Sequence, residues 1–92
     1  MMTFFLSGPL RELAGGRHEV RIDTTAGPLS TALAELWSEC PSFRDRVVNE
    51  LGELRPHLNI FVDGESIRDT GGFGTPVREG SEIFILPALS GG

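Results

Sequence analysis

Few residues of this chain combine a reactive side chain with a spacing that chemistry could use. The two histidines, His18 and His57, lie far apart, and no cysteine or carboxylate falls at a metal-ligand spacing from either. Both read as surface or packing residues, so no metal is expected. Cys40 is the single cysteine; it has no partner for an internal disulfide, a zinc site or a redox motif, and it reads as packing at a helix end. Asp63 and Glu65 flank one glycine, which describes a turn with two exposed carboxylates. The run Gly71-Gly72-Phe73-Gly74 lacks the lysine and the strand-to-helix setting of a phosphate loop, and it too reads as a turn.

The carboxyl end is of a different kind. After Pro87 the chain runs Ala88-Leu89-Ser90-Gly91-Gly92, small residues throughout except Leu89. Five residues extend at most about 17 Å, enough to enter a neighbouring protein while the globular part stays outside. Glycine has no Cβ, so a partner's backbone can close around such a tail and nothing shields a carboxylate on Gly92. A frayed, glycine-rich terminus would look the same, so the tail alone does not decide between the two.

The rest of the chain must position that tail. With 92 residues there is room for one domain, which buries about 60–65% of the surface its unfolded form exposes. Hydrophobic residues make up 39% and charged residues 23%, the balance of a folded domain rather than a disordered one. A net charge of -5 and a pI near 4.9 argue against a nucleic-acid partner, because phosphate contacts need a basic face. The opening residues carry no basic leader and reach Pro9 after too few apolar residues for a signal peptide or a membrane span, so a cytoplasmic location is expected.

Residues 2–7 read as a strand closed by Gly8-Pro9, with Met2, Phe4 and Leu6 inward and Phe5 on the other face. Residues 10–16 read as a connection. Residues 17–23 alternate, placing His18, Val20 and Ile22 on one face of an edge strand. From Leu29 the period becomes helical: Leu29, Ala32, Leu33, Leu36 and Trp37 share a face, with Gly27-Pro28 opening the helix and Cys40-Pro41 closing it. Phe43, Val47 and Leu51 suggest a second helical stretch stopped by Gly52. Residues 58–62 read as a central strand with Ile60 and Val62 inward and Phe61 outward, ended by the Asp63-Gly64 turn. A short edge strand over 65–69, a loop over 70–76 and a last strand over 82–87 with Ile83 and Ile85 inward complete the chain.

This order describes an α+β layer, and the helix crossing between the second and third strands predicts a β-grasp: a mixed sheet with one main helix packed on one face. The last strand should lie beside the first in mid-sheet. The domain is then 1–87, and 88–92 form a flexible Gly-Gly tail. In that arrangement Phe5, Phe84 and Phe61 occupy neighbouring strands on the face away from the helix, with Leu86 beside them. Exposed aromatics in a row often mark a partner interface, although a covering loop or a one-residue slip in register would remove the set.

Three segments carry a resemblance to a known family: Leu58-Asn59-Ile60-Phe61-Val62-Asp63-Gly64; Ile67-Arg68 with Gly71-Gly72; and Ile83-Phe84-Ile85-Leu86-Pro87 running into Ala88-Leu89-Ser90-Gly91-Gly92. Over nearly its whole length the chain resembles the ubiquitin-like sulfur carriers: the small subunit of molybdopterin synthase, the thiamine-pathway carrier and, most closely, the carrier that serves a cysteine synthase. The match thins between Gly8 and Gly27. The resemblance implies that a ubiquitin-activating-like adenylyltransferase consumes ATP to adenylate Gly92, and that a sulfur donor then displaces AMP to leave a thiocarboxylate. It also implies an acceptor enzyme, either a pyridoxal-phosphate cysteine synthase or the large subunit of molybdopterin synthase. Gly91 and Gly92 would be the working residues, with Leu89, Ser90 and the Phe5, Phe61, Phe84 and Leu86 face meeting partners. No cofactor would be bound, and the chain would be a cosubstrate rather than an enzyme.

All eight basic residues are arginines and there is no lysine. A genome that favours arginine codons explains this, and so does a chain that avoids keeping an amine near its own activated acyl end. Two other readings share the tail or the fold: a modifier joined through Gly92 to lysines of other proteins, and a β-grasp binding module without covalent chemistry.

Overall fold

The computed structural model describes residues 1–88. Its first strand, β1 (Met2–Leu6), alternates buried and half-buried residues, so Met2, Phe4 and Leu6 enter the core. Residues read as a mere connection contain a helical turn, α1 (Leu10–Leu13), which buries Leu10. The second strand, β2 (Glu19–Ile22), is shorter than the alternation suggested. Val20 and Ile22 are buried, whereas His18 precedes the strand and is exposed.

The main helix, α2 (Leu29–Glu39), buries Leu29, Ala32, Leu33 and Leu36 and ends at the buried Cys40. Its opening differs from the reading in one respect. Pro28 has extended backbone angles and stands just outside the helix, in a two-residue strand β3 (Gly27–Pro28). The first helical N–H, that of Leu29, donates to the Thr75 carbonyl at 2.8 Å. A distant loop thus satisfies a donor that no side-chain cap meets.

Beyond α2 a 3-10 turn (Pro41–Phe43) leads into a single turn, α3 (Arg44–Val47), burying Phe43 and Val47. Leu51 does not join them; it is 83% exposed. The helix stops because Val48 is extended and bridges to Leu54, while the Asn49 Oδ1 accepts from the N–H groups of Leu51 and Glu53, both at 2.9 Å. That side chain competes with the helical ladder and turns the backbone out.

The strand β4 (Leu58–Val62) lies where the sequence placed it. The expected edge strand is only β5 (Glu65–Ser66), because Ser66 caps a new helical turn, α4 (Ile67–Thr70), accepting from the Arg68 N–H at 3.3 Å. Gly71 ends that turn at φ 112°, a conformation that a β-carbon makes costly. The expected loop over 70–76 is therefore largely structured: a 3-10 turn (Gly72–Gly74) follows, and then β6 (Pro76–Val77), which pairs with β3.

The last strand, β7 (Glu82–Pro87), lies parallel to β1 on one side and antiparallel to β4 on the other. The mixed sheet has the order β2-β1-β7-β4-β5. One face, carrying Met2, Phe4, Val20, Ile60, Ile83 and Ile85, packs with α2 and the turns after it into a single core. The β-grasp expectation holds, and among the described residues one helix has three turns and the others one turn each.

Candidate functional site

Because β7 is flanked on both sides, the chain leaves the sheet from its middle. Pro87 pairs with Leu58, and the Ala88 N–H donates to the His57 carbonyl at 2.8 Å, carrying the ladder one residue further. Leu89, Ser90, Gly91 and Gly92 lie outside the described residues.

The face away from α2 has the expected composition. Phe5 stands opposite Phe84, and Phe84 opposite Phe61. The same row continues to Glu19 beyond Phe5 and to Ser66 beyond Phe61. Phe5 and Phe84 stack with ring centroids 4.6 Å apart and planes 14° from parallel. The three rings are half-buried rather than freely exposed, and Phe5 and Phe84 shield each other by stacking. Leu86 is also half-buried and pairs with Asn59 one step nearer the end of β7, so an apolar strip runs from the aromatic row toward the exit.

Polar groups secure both ends of this arrangement. At the far end of the sheet the Asp63 carboxylate accepts from the Ser81 hydroxyl at 3.0 Å and from the Glu82 N–H at 2.9 Å. The turn read as two free carboxylates is thus half occupied, since Asp63 tethers the start of β7. At the exit end, among the described residues no strand pairs with Leu58 on the β5 side of β4, and the Arg68 Nη2 donates to the Leu58 carbonyl at 2.8 Å instead. Cys40 is buried with the Arg17 Nη2 3.8 Å from its sulfur, and His57 is exposed. Among the described residues no cluster of His, Cys, Asp or Glu could hold a metal ion, and no helix is long and apolar enough to cross a membrane.

Sequence reasoning missed a cavity beside the exit, built by α1 and the approach to β4. Leu10 and Leu13, spaced by one helical turn, were the available signal.

The ThiS family model matches residues 5–92. A putative sulfur carrier of Archaeoglobus fulgidus is 40% identical over 48 residues, covering 52% of this chain and about half (54%) of the relative. The sulfur carrier protein CysO of Mycobacterium tuberculosis is 29% identical over 85 residues, 90% of this chain and 89% of the relative. Small archaeal modifier protein 1 of Haloferax volcanii is 33% identical over 92 residues, 99% of this chain and all of the relative. Among solved structures, the Amycolatopsis orientalis BexX/CysO complex contains a chain with a TM-score of 0.86 and 27% identity, each chain covered completely.

Proposed function

Because this chain belongs to the ThiS family and has its ubiquitin-like β-grasp fold, we propose that it is a sulfur carrier working through a thiocarboxylate on Gly92. The observation that carries the proposal is a family match that runs through Gly92, joined to a sheet that delivers the chain outward from its central strand. Chemically, the Gly92 carboxylate attacks the α-phosphorus of ATP, releasing pyrophosphate and forming an acyl adenylate. A sulfide donor then attacks the acyl carbon, AMP leaves, and a thiocarboxylate remains. Its sulfur, ionised at neutral pH, is the nucleophile passed to an acceptor. An adenylyltransferase of the ubiquitin-activating type catalyses the first steps and consumes the ATP in the cytoplasm. The carrier holds no cofactor and is a cosubstrate.

The half-buried strip of Phe5, Phe84, Phe61 and Leu86 is the docking face in this reading, because an apolar row leading to the tail lets one partner hold the domain and reach Gly92. Leu89 and Ser90 then lie along the partner's channel. Likeness to CysO favours a pyridoxal-phosphate cysteine synthase as acceptor, ahead of the large subunit of molybdopterin synthase.

Incubation with ATP, a cognate activating enzyme and a sulfur source should yield a chain heavier by the difference between one sulfur and one oxygen atom. Deleting Gly92 should abolish that gain and leave urea unfolding unchanged. An unmodified mass with active partners would refute the proposal. The modifier reading is favoured by the likeness to small archaeal modifier protein 1. It predicts Gly91-Gly92 remnants on lysines of other proteins, which mass spectrometry of cellular digests would reveal.

A further inference from the structure

The strand β2 ends the sheet on one side. The Leu6 N–H donates to the His18 carbonyl at 2.9 Å, and this fixes the alternation along the edge. Backbone groups of Val20 and Ile22 meet β1, while those of Glu19 and Arg21 point outward. Among the described residues those outward groups have no backbone partner. Side chains on the outward positions alternate in sign: Arg17, Glu19, Arg21, Asp23. Arg21 and Glu19 already meet each other, Nη2 to Oε2 at 3.3 Å, and the Arg21 side chain stays 68% exposed.

A charged edge resists pairing unless the incoming strand brings the matching charges. β2 is itself such a strand. In a two-fold contact residue i meets j and j meets i, so two antiparallel β2 strands with the axis at Val20 set Glu19 against Arg21 twice. Backbone parity agrees, because this register lets the outward Glu19 and Arg21 exchange both N–H···O=C bonds. Sliding one strand by two residues sets Glu19 on Glu19 and Arg17 on Arg21. The opposite slide sets Arg21 on Arg21 and Glu19 on Asp23. Charge therefore selects a single register.

We propose that the β2 edge pairs with the β2 edge of a second copy of this chain, antiparallel about Val20, joining two five-stranded sheets into one. Glu19 and Arg21 of both copies then form a tetrad of alternating charges over the backbone bonds. Arg17 does not extend the contact, because its Nε is held by the Ala14 carbonyl at 2.9 Å. So short an edge buries far less than the roughly 1,200 Å² of a stable complex, and pairing is reversible, near millimolar protein. The axis stands perpendicular to the sheet. Both Phe5 faces therefore lie on the same side, and the two β7 strands run in opposite directions. Each copy keeps its aromatic face and its exit open, so the contact is independent of the carrier reading.

The test is sedimentation equilibrium of the full chain at rising concentration and low salt, with 15N amide shifts read in parallel. Average mass should climb toward that of two chains near millimolar protein, with shifts centred on Glu19, Val20 and Arg21. Glu19→Arg or Arg21→Glu alone makes the whole tetrad one sign and should weaken pairing about tenfold, the range of two cross-strand charge pairs. An equimolar mixture of those two variants should associate again, and so should the double exchange E19R/R21E. These recoveries keep the test decisive even where one single variant is less stable. A chain that stays single at millimolar concentration would leave the edge to a foreign strand and overturn the proposal. Single variants that pair as tightly as the wild type, a mixture that does not associate, or shifts centred on Phe5 and Phe84 would overturn it as well.

Discussion

The stacked pair on the open sheet face allows a quantitative check on which side of β7 carries stability and which is free for docking. Phe5 and Phe84 should be replaced by alanine singly and together, with Ile85→Ala as the reference from the opposite face of the same strand. Ile85 is fully buried, so its truncation leaves a cavity and should cost about 2–5 kcal/mol. Phe84 is half-buried, so truncation forfeits about half of a full transfer term, roughly 1 kcal/mol. The stacking with Phe5 adds about 0.5–1.5 kcal/mol. Phe84→Ala should therefore cost about 2 kcal/mol, and the double variant should fall short of the summed singles by about 1 kcal/mol, because the pair is lost only once. Trp37, the one tryptophan, is partly buried against the core and reports urea unfolding by fluorescence. Additivity within about 0.3 kcal/mol would show that the rings do not couple in solution. A Phe84→Ala cost of about 3–5 kcal/mol, the range of a fully buried ring, would show that the face is covered, and the docking assignment would fall with it.

Asp63→Ala removes two acceptors from the start of β7 and should destabilise by about 1–3 kcal/mol, with Asp63→Asn closer to wild type; urea midpoints decide. Ser66→Ala deletes the cap of α4 and should cost about 1 kcal/mol, seen in the same assay. Gly71→Ala meets open space, its nearest atom being the Thr75 nitrogen at 4.0 Å, so the expected loss of about 1 kcal/mol comes from backbone strain alone. A structure of that variant with residue 71 at negative φ would contradict this cause. Because the 92 residues include no lysine, adenylation with the chain as its own only acceptor should give no isopeptide-linked multimers on a denaturing gel. Ladders would show that the arginine-only composition offers no protection.

Elements long enough to repeat a period were legible in the sequence. The α2 helix shows its apolar stripe over three turns, and β1, β4 and β7 each alternate through five or six residues. Four-residue helices show no such repeat: α1, α3 and α4 are held by what they pack against. Leu51 continued the spacing of Phe43 and Val47, and the extended Val48 together with the Asn49 side chain takes it out of register. The aromatic row followed from a period of two once the strand order was right, but the stacking of Phe5 on Phe84 did not. Asp63 looked like an ordinary turn residue because its acceptors serve partners 18 and 19 positions away. The cavity at the exit was hidden for the same reason, since its walls come from segments that only the folded sheet brings together.

The position of β7 between two neighbours has a mechanical consequence. A partner that grips the residues beyond Ala88 and draws back pulls along the strand axis. Such a load falls in shear on the register with β1, four residue pairs, and with β4, five pairs, all at once. A terminal strand paired like β5, over two residue pairs on one side, would spread the same pull over far fewer rungs. A load along the β7 axis is thus shared by two neighbouring strands rather than borne by one.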